Sequence, residues 1–175
     1  MGYGADMNGS LLVDAFGHHV WATLKVIDAC EGLTDEQLAT TLPGTFGTII
    51  DTLRHIVSAD VNYLQVFTTD GPAEVDEESA DLSAMRAAMQ AMGDAWQALL
   101  ATELDPERPV TRHREDGSTS TAPLGVRLAQ VVHHGSDHRS QICTALTSLG
   151  LEPPDIDLWA YAGMGGRLSE TEPTG

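Results

Sequence analysis

In the run Val131-Val132-His133-His134-Gly135-Ser136-Asp137-His138, two imidazoles stand four residues apart, His134 and His138. On a helix that spacing puts both on one face about one turn apart, where they can grip a single ion. A buried imidazole needs a partner for each ring nitrogen, and a metal satisfies one while an acceptor takes the other. A third ligand has to come from another helix. His55, in Thr52-Leu53-Arg54-His55-Ile56, stands between the core-facing Leu53 and Ile56. The other reading of these three is ordinary histidines hydrogen-bonded to neighbouring side chains. Asp51, one turn before His55, and Asn62, two turns after it, are candidates for lining a pocket or supporting the ligands. His19 shares the core side of its helix with Phe16, Thr23 and Ile27, and either lines the pocket, adds a ligand or is simply packed. His133 points away from His134, and His113 receives no role.

The elements that must position these residues are helical. Apolar residues recur three and four apart in four segments, Ser10 to Gly32, Thr48 to Thr68, Ser83 to Glu103 and Pro123 to Gly150. Ser10 and Ser83 are the expected N-caps of the first and third. Thr34-Asp35-Glu36-Gln37 reads as a capping box opening a short turn of helix that Pro43-Gly44 ends. Gly71-Pro72 and the five carboxylates after them, up to Asp81, read as a solvated loop. The Met stripe of the third segment is core filler. Val110 to Thr121, centred on Asp116-Gly117, is predicted as a small hairpin, and Asp155 to Tyr161 as a last short turn. The expected fold is all-α, an up-down-type four-helix bundle with a hairpin-like insertion before the last long helix. It is expected to be one domain over 1–175, with its core at about 10–162.

Composition narrows the function further. Nine Lys and Arg against 26 Asp and Glu give a net charge of −17 over 175 residues, which argues against nucleic acid or an acidic membrane as partner. No stretch reaches the roughly 20 apolar residues of a membrane span, and MGYGADMNGS lacks the pattern of an export signal, so the expectation is a cytoplasmic protein. Cys30 and Cys143 lie far apart with no CxxC spacing and are expected to stay unpaired and off the metal. Glu-x-x-His and HExxH are both absent, which disfavours a di-iron bundle and the zinc-protease pattern.

The chain resembles the DinB/YfiT-like family of metal-binding four-helix bundles. The likeness rests on His19-x-Trp21-Ala22, Gly32-Leu33-Thr34-Asp35-Glu36-Gln37-Leu38, Pro43-Gly44-Thr45-Phe46-Gly47-Thr48, Leu53-Arg54-His55-Ile56 and His134-Gly135-Ser136-Asp137-His138-Arg139-Ser140-Gln141-Ile142. In the last of these the family typically has Gly where Ser140 stands, a small-for-small change. The resemblance implies a three-histidine site on His55, His134 and His138, holding one divalent ion, zinc or nickel, with iron as a third choice. Relatives that use bacillithiol or mycothiol imply a small-molecule thiol and an electrophilic substrate.

Three neutral imidazoles leave a coordination position open, the pattern of a catalytic site. A thiol there would favour its thiolate form, the attacking species. The expected function is therefore a metal-dependent thiol transferase. The alternatives are a metal-dependent hydrolase, with Asp51, Asp60 or Asp137 assisting, and a non-catalytic, stress-related metal-binding protein. A homodimer is the expected assembly.

Overall fold

Each apolar stripe becomes the buried face of a helix. The computed structural model describes residues 11–68, 71–114 and 116–171. Its long helices are α1 (Leu11–Cys30), α3 (Ile49–Gln65), α4 (Leu82–Leu100) and α5 (Leu124–Ser148), with short α2 (Asp35–Leu38) and α6 (Leu158–Met164). Between α4 and α5 lie β1 (Pro109–His113) and β2 (Thr119–Pro123), paired antiparallel with Val110 opposite Ala122. The four-helix bundle and the small hairpin are as expected.

Local chemistry sets the helix ends. Thr34 and Gln37 form the capping box of α2, and the Thr48 side chain accepts the Asp51 N–H at the start of α3. The cap of α4 is Asp81, not Ser83: its carboxylate accepts the Ala84 N–H at 2.7 Å, so the helix opens at Leu82. The expected cap Ser10 lies outside the described residues. Arg127 of α5 donates to the carbonyls of Val110 and Ser120, tying the hairpin to the bundle.

The core falls into two clusters, one at each end of the bundle. One joins Val26, Ile27 and Cys30 of α1 with Ile49, Leu53 and Ile56 of α3, Met85 and Met89 of α4, and Ile142, Ala145 and Leu146 of α5. The other joins Phe16, Val61, Leu64, Met92, Trp96, Leu124, Leu128 and Val131. The end of α1 thus meets the starts of α3 and α4 and the end of α5. So α1 and α5 run one way, α3 and α4 the other. The described stretch 71–81 accordingly runs back along the bundle before α4 begins, from Gly71 beside Leu64 to Ala80, whose carbonyl accepts from Arg54. Both cysteines are free thiols, and burial pushes Cys30 up to about 12. Among the described residues, no helix is long and apolar enough to cross a membrane.

Candidate metal centre

His55 of α3 and His134 and His138 of α5 come together where these two helices pack. One nitrogen from each lies within 4.8 Å of the others, and the Nε2 atoms of His55 and His134 are 3.1 Å apart. The outer nitrogens explain the arrangement. His55 Nδ1 donates to Glu77 Oε1 at 2.8 Å, and Ser58 Oγ donates to the other oxygen of that carboxylate at 3.1 Å. His138 Nδ1 donates to Gln141 Oε1 at 3.3 Å, the same oxygen that accepts the Phe46 N–H at 2.8 Å. With their Nδ1 protons committed outward, His55 and His138 turn Nε2 lone pairs inward.

Lone pairs facing each other across 3.1 Å repel unless a proton or cation lies between them, and two nitrogens that share an ion at about 2.0–2.1 Å can adopt this separation. The donor set therefore fits a divalent ion of the borderline class that imidazole prefers. Phe46 stacks on His55 with centroids 4.1 Å apart and meets His138 edge-on. It remains half exposed, forming an aromatic wall over the histidines.

Burial disfavours the charged forms of His134 and His138. Burial, then the neighbouring His138 and His55, push His134 down to about 4, and burial lowers His138 as well. The unfolded chain therefore binds more protons than the folded one between about pH 6.5 and about pH 4, so stability falls as pH falls through that window. Metal-free protein should melt at a lower temperature at about pH 5 than at about pH 7. His134→Gln should flatten that slope. Equal melting temperatures at the two pH values would contradict the neutral, desolvated site.

Among the described residues, none of the other sequence candidates joins the converging nitrogens. Asp51 is exposed, accepting from Thr48 Oγ1 at 2.6 Å and from Arg54 at the start of α3. Asn62 is exposed and lines an open cavity with Gln65, Glu74 and Arg112. Asp137 pairs with the exposed His133. His19 is fully buried with both ring nitrogens engaged: Nε2 donates to Asp60 Oδ2 at 2.6 Å, and Arg139 Nη1 donates to Nδ1 at 3.0 Å. It has no lone pair left for an ion.

Sequence reasoning missed four residues. The acidic stretch is not simply a solvated loop, because Glu77 reaches back from it to His55. Nothing in a run of carboxylates singles that one out. Arg139 is almost completely buried on the inner face of α5, whereas His138 is only partly buried. Arg139, Gln141 and Phe46 all lie within the motifs that carry the family resemblance, and that was the signal available for them.

A model of the DinB family matches residues 7–171. Among solved structures, YfiT from Bacillus subtilis aligns with a TM-score of 0.59 at 21% identity, over 79% of this chain and 87% of that one. YfiT is described as "a probable metal-dependent hydrolase with an unusual four-helix bundle topology". No curated protein sequence matches the chain.

Proposed function

This chain belongs to the DinB family, and from that premise we propose that it is a metal-dependent transferase joining a low-molecular-weight thiol to an electrophilic small molecule. His55, His134 and His138 would hold one divalent ion, zinc or nickel. The observation that carries the reading is the convergence of three ring nitrogens within 4.8 Å, two of them backed by outward acceptors. A divalent ion there supplies Lewis acidity that favours the deprotonated form of a thiol.

The chain's own residues do the rest. Glu77 and Gln141 hold two imidazoles in the Nδ1–H tautomer, and burial keeps His134 and His138 neutral, as ligands must be. Phe46 shields the group from one side and offers an aromatic surface to a substrate. A thiol R–SH loses its proton to solvent, its sulfur forms a bond to the electrophilic carbon, and the displaced group leaves with the bonding pair. The reading includes a cytoplasmic homodimer, for which the exposed Leu158, Trp159 and Met164 of α6 are an available apolar surface.

Zinc- or nickel-loaded protein should consume mycothiol, bacillithiol, glutathione or cysteine in the presence of an alkylating electrophile, faster than metal-free protein does. No consumption with any of the four would sink the transferase reading. The second reading, a metal-dependent hydrolase, is favoured by the likeness to YfiT and would show as ester or amide cleavage without thiol.

A further inference from the structure

Beside the histidine group, two buried polar atoms have no hydrogen-bond partner: Nδ1 of His134 and Oδ1 of Asp60. Buried polar groups are nearly always paired, so each calls for an explanation. The two are chemically complementary. When the His134 Nε2 lone pair faces the other histidines, its Nδ1 carries the proton; a carboxylate oxygen only accepts. They are also neighbours in the packing. The charge of Asp60 acts on His134, and Gly135, next in sequence to His134, lies directly against the His19 ring that grips Asp60.

We propose that Asp60 Oδ1 accepts the Nδ1–H of His134 across one bound water, making Arg139, His19 and Asp60 a buried relay that sets the tautomer of this ligand. Every link has one proton assignment. Arg139 can only donate, so His19 Nδ1 must be the acceptor and its Nε2 must carry the hydrogen given to Asp60 Oδ2. Arg139 is itself held by Thr23 Oγ1 and Ser136 Oγ. Asp60 Oδ2 is thereby taken up by His19, and Oδ1 is left to accept. His55, His138 and His134 would then each present Nε2 inward, backed by Glu77, Gln141 and Asp60 respectively. Asp60 is a positioning residue, since it acts through His134.

The inference rests on the metal reading for its consequence, but the tautomer can be measured without metal. Long-range proton–nitrogen spectra of the metal-free wild type should show His134 as the Nδ1–H tautomer at neutral pH, because the Asp60 carboxyl group is a stronger acceptor for its proton than Nε2 of His55. In competition titrations with zinc, Asp60→Asn should keep one ion per chain while losing about 10–100-fold in affinity, as Glu77→Gln also should. An amide at position 60 offers a donor toward one of the two histidines, so the His134 tautomer should become mixed. An Nε2–H tautomer in the wild type would overturn the relay, as would a folded Asp60→Asn protein with unchanged zinc affinity. Should Asp60→Asn fail to fold, the wild-type tautomer decides. Should the wild type bind no zinc, the metal reading falls and the tautomer alone decides the relay.

Discussion

Replacing His138 with alanine should take the chain from one bound divalent ion to none at micromolar metal, and abolish turnover with it. The variant removes one of only three imidazoles that converge, and Gln141 and Phe46 lose the ring they are arranged around. Loss of a partner behind a ligand costs about 10–100-fold in affinity, and loss of the ligand itself should exceed that. Activity follows because the ion's polarising effect on thiol or water depends on its being held. The control is His133→Ala on the same helix. That ring is exposed and pairs with Asp137, so metal content and rate should be unchanged. Equilibrium dialysis with metal analysis reads both variants. A His138→Ala protein that still binds one equivalent tightly would remove this residue from the site.

Gly135→Ala should be strongly destabilising, by at least about 3 kcal/mol in urea unfolding. A Cβ there would stand 2.3 Å from His19 Cε1, 2.6 Å from Nδ1 and 2.7 Å from Arg139 Nη1. None of these atoms can yield cheaply. His19 is clamped between Asp60 and Arg139, all three are almost completely buried, and moving either partner leaves a charge unpaired in the interior. Alanine's better helix propensity, about 1 kcal/mol, offsets only part of this. Gly32→Ala is the matched control, because a Cβ at that position meets nothing within 4 Å. Wild-type stability in Gly135→Ala would mean that α1 and α5 can separate freely, contrary to the tight packing at His19.

Much of the molecule was readable without coordinates because it is written in local periods. Apolar residues three and four apart define the long helices, and the Thr34 to Gln37 box and the Asp116-Gly117 turn work within a few residues. The four-residue step from His134 to His138 is likewise helix geometry. His55 could be nominated because it is the one histidine on its helix.

What the tertiary structure alone decided has a common cause: those contacts join positions far apart in sequence, whose meeting depends on how the helices pack. The parallel course of α3 and α4 shows only in which core residues meet at each end of the bundle. Glu77 reaches His55 from the stretch that precedes α4, and His55 meets His134 from a different helix. Arg139 is buried although it is charged, because His19, Thr23 and Ser136 happen to stand where its guanidinium needs acceptors. A sequence displays residue types and local spacing. Which polar groups find partners, and so can remain inside, is settled only when the faces of the helices close on one another.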